Sequence, residues 1–70
     1  MRKFLALRLR ILENDMTQKE VAEEAGLAPS TMSHRMTGSQ PFTTKEIKSI
    51  GKVLHIPAED YYKYFFGNVG

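Results

Sequence analysis

Between Thr17 and Gly38 the spacing of capping and helix-stopping residues leaves room for a short helix, a tight turn and a second short helix. Thr17 is followed three residues later by Glu20, the spacing at which each side chain accepts a backbone N–H left free at a helix start. The helix therefore begins at Gln18, with Val21, Ala22 and Ala25 as its apolar side. Gly26 stops it, because glycine enters the left-handed conformation without a Cβ clash. Pro29 has no N–H to lose at a first helical position, so the next helix starts there and runs to about Thr37, with Gly38 beyond it.

The flanking segments read the same way. From about Lys3 to Glu13, Phe4, Leu7 and Ile11 form one stripe, with Leu5, Leu9 and Leu12 beside it in a wide apolar surface. Asn14 and Asp15 end this helix, since both tolerate turn conformations. Thr43 and Glu46 repeat the capping pattern before a fourth helix whose stripe is Ile47, Ile50, Val53 and Leu54, closed by His55 and Ile56. Pro57 opens a last short helix, with Glu59 and Asp60 at its positive end. The expected fold is all-α: a compact bundle of five short helices forming a single domain over residues 1–70.

The chain has no cysteine, so neither disulfides nor a thiolate metal site supply stability, and the core must come from helix packing. Arg8 and Arg10 interrupt the apolar start and argue against an export signal, and no window approaches the ~18 apolar residues of a membrane span. The reading is a cytoplasmic protein with no membrane association. The formal charge of +2 is compatible with a nucleic-acid partner without establishing one.

A helix, a short turn containing glycine and a second helix make a helix-turn-helix unit, whose second helix fits a major groove about 12 Å wide. At about 100° per residue, turning Met32 and Met36 to the core places Ser30, Ser33, His34 and Thr37 on the opposite side. Thr31 and Arg35 flank that stripe, and Arg35 has the reach for a phosphate or a guanine edge.

The runs Thr17-Gln18-Lys19-Glu20-Val21-Ala22, Gly26-Leu27-Ala28, Ser30-Thr31-Met32-Ser33 and Met36-Thr37-Gly38 resemble the Cro and C1-type phage repressors and their bacterial relatives, most closely small phage-encoded Cro-like repressors. The likeness continues through Phe42-Thr43 and Glu46-Ile47 into Tyr64-Phe65-Phe66. It implies a lambda repressor-like DNA-binding domain that acts on a double-stranded operator as a homodimer, with no cofactor and no small-molecule substrate. By position it implies that Gln18 touches the DNA backbone and braces the recognition helix, and that Pro29, Ser30, Ser33 and His34 read bases. Thr31, Arg35, Thr37, Ser39 and Lys45 complete the expected DNA-binding set. Pro29 departs from the glutamine or arginine many relatives carry there and offers only apolar contact, for example to a thymine methyl. Glu20, Glu23 and Glu24 make the second helix acidic, which leaves phosphate contact to helix ends and to Arg2, Lys3, Lys19, Arg35, Lys45 and Lys48.

Other chemistries find little support. Two histidines without cysteines or a matching carboxylate spacing make a poor metal site, and adjacent Glu23 and Glu24 diverge by about 100° on a helix, unlike a catalytic pair. No glycine-rich phosphate loop or nucleophile elbow is present, so the chain is not expected to be an enzyme. Five of the seven aromatic residues fall between Tyr61 and Phe66. Tyr61 and Phe65 form one stripe, expected to close the core over Phe4; Tyr62 and Phe66 form another, a candidate dimer contact. The rival reading is a protein-interaction module of the same fold, such as an anti-repressor or antitoxin-like modulator.

Overall fold

The computed structural model describes residues 4–66. It contains α1 (Leu5–Glu13), α2 (Gln18–Ala25), α3 (Pro29–Met36), α4 (Thr44–Val53) and α5 (Tyr61–Phe65), with a 3-10 turn, Ala58–Asp60, leading into α5. The last helix therefore opens as a tighter 3-10 turn. No helix among the described residues is long and apolar enough to cross a membrane.

Both capping boxes form. The Thr17 hydroxyl accepts the Glu20 N–H at 3.1 Å and the Glu20 carboxylate accepts the Thr17 N–H at 2.8 Å. Thr43 and Glu46 make the same exchange at 3.2 and 2.9 Å. Each box is preceded by an apolar residue, Met16 or Phe42, that joins the core with the residue four beyond the cap, Val21 or Ile47. This is the spacing of a hydrophobic staple, which fixes the angle at which the chain enters the helix.

Helices α1 to α4 end alike. A left-handed residue, Asp15, Gly26, Gly38 or His55, turns the chain so that the next N–H reaches back across the last turn. Met16 N–H reaches Ile11 O at 3.2 Å, Leu27 N–H reaches Ala22 O at 2.8 Å, Ser39 N–H reaches His34 O at 3.1 Å and Ile56 N–H reaches Gly51 O at 2.8 Å. These Schellman closures satisfy terminal carbonyls and permit an immediate change of direction. That is how four helices fit into so few residues.

The core is built from Phe4, Leu7, Ile11, Val21, Ala22, Met32, Met36, Phe42, Ile47, Ile50, Leu54, Ile56 and Phe65. Leu5, Leu9 and Leu12 are 49%, 50% and 67% exposed, so the apolar surface expected to be wide on α1 is buried only along Phe4, Leu7 and Ile11. The aromatic closure also differs from the expectation. Phe42 lies between Phe4 and Phe65, edge-on to each with ring centroids 5.2 Å apart, and Tyr61 continues the chain against Phe65 at 6.2 Å. Tyr62 and Phe66 stack on each other outside the core.

Two arginines of α1 act as long-range staples. Arg10 donates to the carbonyls of Leu54 at 3.0 Å and His55 at 2.7 Å, closing the end of α4. Arg8 donates to Met36 O at 3.3 Å at the end of α3. Both meet carbonyls that helix geometry leaves without intrahelical partners, at the negative end of the helix dipole.

Gly51 marks where α4 meets Tyr61. A Cβ there would stand 2.6 Å from the Tyr61 ring. Alanine in a helix interior gains about 1 kcal/mol over glycine, whereas overpacking costs about 1–3 kcal/mol. Gly51→Ala should therefore lower the melting temperature in wild type yet raise it in a Tyr61→Ala background. The same sign in both backgrounds would show that the ring does not set the requirement.

Candidate nucleic-acid interface

Helix α3 is placed by its two buried methionines, Met32 and Met36, which leave its other side to solvent. Ser30, Ser33, His34 and Thr37 are all exposed, as is Pro29 at the first helical position. The outer stripe drawn from the helical period is the solvent side of the helix. Thr37 already uses its hydroxyl locally, donating to His34 O at 3.0 Å and pairing with the Ser39 hydroxyl at 3.0 Å.

The other candidates fall into separate places. Gln18 is half-buried at the first position of α2 and lines a groove with Arg8, Ile11, Leu12, Met16 and Thr17. Thr31 and Lys45 line a second groove, between the turn Gly26–Ala28 and the start of α4. Lys45, Lys48 and Lys19 are exposed. Arg2 and Lys3 lie outside the described residues.

Arg35 differs from its expected role. Its Nε donates to Glu46 Oε1 at 2.9 Å and its Nη2 to Glu46 Oε2 at 3.2 Å, while Nη1 donates to the Gln40 side-chain oxygen. Both side chains are largely covered, with 14% and 15% of their surfaces exposed. The guanidinium expected to reach DNA is engaged by its own protein. Glu46 holds its proton less readily than an ordinary carboxylate, chiefly because Arg35 donates to it; burial opposes this, and the Thr43 N–H adds to it. Arg35 is correspondingly a weaker acid through its bond to Glu46. Because the carboxyl's folded pKa is lowered, the pair's contribution is present above the ordinary carboxylate range. It is lost as pH falls through the lower folded value.

A helix pair of this kind, with its second helix bared on one side, is a known geometry for placing a helix in the major groove. The family model HTH_3, described as Helix-turn-helix, matches residues 7–61. The chain belongs to this helix-turn-helix family. The match runs from within α1 to the first residue of α5, so α2, α3 and α4 are included whole. No curated protein sequence matches the chain. Among solved structures, the chain is similar to one described as the clp gene regulator ClgR from C. glutamicum, with a TM-score of 0.77 and 21% identity over 96% of this chain and 87% of that one. At that identity the likeness is one of fold.

The residues that sequence reasoning missed are Gln40 and Glu46, which hold Arg35. Glu46 carried a signal as the third residue of a capping box. Its second role depends on where α3 ends in space, and neither periodicity nor spacing reveals that.

Proposed function

We propose that the chain is a sequence-specific transcriptional regulator that binds double-stranded DNA through α3, a Cro-like repressor of phage or prophage type acting in the cytoplasm. The observation that carries this reading is the outer side of α3. It presents small or polar hydrogen-bonding residues on a helix anchored in the core by two buried methionines. Ser30, Ser33 and His34 supply base contacts, and Pro29 supplies an apolar one. Gln18 and Lys45, with the N–H groups at the starts of α2 and α4, set the register on the phosphates.

The chain carries one recognition helix, α3, whereas a two-fold operator presents successive major grooves ~34 Å apart on one side of the duplex. A two-fold operator is then read by two copies, one recognition helix in each groove. The stacked Tyr62 and Phe66, 72% and 43% exposed, are the proposed dimer contact.

The test is a salt titration of binding to a random-sequence duplex. Affinity should fall steeply with salt, by about 0.9 in log–log slope per phosphate neutralised. Salt-insensitive or absent binding would favour the second reading, a protein-interaction module, for which the exposed Leu5, Leu9, Leu12, Tyr62 and Phe66 are the supporting observation.

Two substitutions separate reading from anchoring. His34→Ala should relax preference at one base pair by about 1–3 kcal/mol with the salt slope intact. Lys45→Ala should weaken binding to every sequence and flatten the slope by about 0.9. Equal losses on all sequences for His34→Ala would remove it from base reading.

A further inference from the structure

We propose that Arg35 is a positioning residue: its two-pronged bond to Glu46 locks the end of α3 against the start of α4 and withholds the guanidinium from DNA phosphate. This rests on the DNA-binding reading above and departs from the role that the position of Arg35 on α3 implies. The argument is geometric. A guanidinium meeting both oxygens of one carboxylate fixes direction as well as distance. The two bonds, 2.9 and 3.2 Å, leave the pair mostly covered. Gln40 takes the other arm, so three elements meet on one side chain: the last turn of α3, the connecting loop and the first turn of α4.

Glu46 makes the arrangement more than a local ion pair. The oxygen that accepts from Arg35 Nε, Oε1, also accepts the Thr43 N–H that caps α4. One carboxylate therefore sets both the pose of the recognition helix and the start of the helix that carries Lys45. Arg8 donates to Met36 O, so α3's last turn is held from α1 as well as from α4. Base-reading and phosphate-anchoring groups thereby reach the duplex as one rigid body, with little ordering left to do on binding.

The experiment compares wild type, Arg35→Met, Arg35→Lys and Glu46→Gln in two ways, at a temperature where all are folded by circular dichroism. Amide hydrogen exchange in the free proteins reads the clamp. Met36, Thr37 and Gly38 should exchange roughly tenfold faster in each variant, the scale of losing a charge-assisted hydrogen bond, while Ile11 and Leu12, well inside α1, keep their protection. A uniform rise through α1 as well would reduce the pair to a general contribution to stability and overturn the proposal. Salt titration on a random-sequence duplex reads the role of the charge. All three variants should bind more weakly than wild type, with Arg35→Met retaining the wild-type slope, and lysine should fail to rescue because it lacks the planar fork.

A slope flattened by about 0.9 in Arg35→Met, recovery in Arg35→Lys, or tighter binding by Glu46→Gln would make Arg35 a phosphate ligand and overturn the proposal. The two failures are distinguishable: absence of DNA binding by wild type sinks the DNA reading, whereas a flattened slope in the variant sinks the clamp alone.

Discussion

Phe42→Ala should leave the chain close to its unfolding threshold at room temperature. The ring is 8% exposed and lies edge-on between Phe4 and Phe65, so its removal opens a cavity at the point where the N-terminal helix, the loop and the C-terminal helix meet. Buried Phe→Ala substitutions cost about 3–5 kcal/mol. At about 0.05–0.15 kcal/mol per residue, a chain of this length has roughly 3.5–10 kcal/mol in total. Each kcal/mol moves the melting temperature of so small a domain by about 4–8 °C, so a fall of more than about 12 °C is expected in a thermal melt. Phe42→Leu, which keeps much of the volume, should fall less. A Phe42→Ala melt within a few degrees of wild type would mean that Phe4 and Phe65 close the core without it.

Phe42 also shows where the sequence stopped being legible. It sits in a loop and belongs to no periodic stripe, so it read as part of a turn. The one available signal was its place before a capping box, five residues ahead of Ile47, the same relation that Met16 bears to Val21. Helix starts were legible because Thr17 with Glu20 and Thr43 with Glu46 act within one turn of chain. Gly26, Gly38 and Asp15 were legible as stops because their chemistry suits the left-handed conformation they adopt. His55, read with Ile56 as the close of the fourth helix, takes the same conformation, which histidine enters more readily than most side chains.

The arginines were the hardest to read. Arg8 bonds to a carbonyl 28 positions away and Arg10 to one 44 away. Such partners depend on the finished packing, whereas helical periodicity reports only which side of a helix is wet. The same limit applied to α3. The period put Ser30, Ser33, His34 and Thr37 outside, where they are, but it could not reveal that Arg35 beside them was engaged by Glu46. The side of the candidate interface was legible in the sequence, and the availability of each charge on it was not.

A recognition face made acidic by Ser33→Glu with His34→Glu should lose at least about a hundredfold in DNA affinity, since like charges brought together at an interface cost several kcal/mol and each 1.4 kcal/mol is tenfold. Folding should be little affected. Both positions are exposed, and among the described residues neither side chain makes a hydrogen bond or ion pair, so the pair should behave as ordinary surface substitutions. The difficulty is that adding two negative charges weakens DNA binding from anywhere on a small protein through the long-range field. Lys52→Glu, exposed in the last turn of α4, changes net charge by the same amount and serves as the control. At ionic strength near 0.15 M the screening length is about 8 Å, so a distant charge should matter little and one against the phosphates should matter greatly. If the two proteins lose affinity equally, the effect belongs to net charge and α3 is not the reading helix. If only the α3 variant loses it, the contact is local, and selection of operator sequences against wild type and His34→Ala can then assign the base that His34 reads.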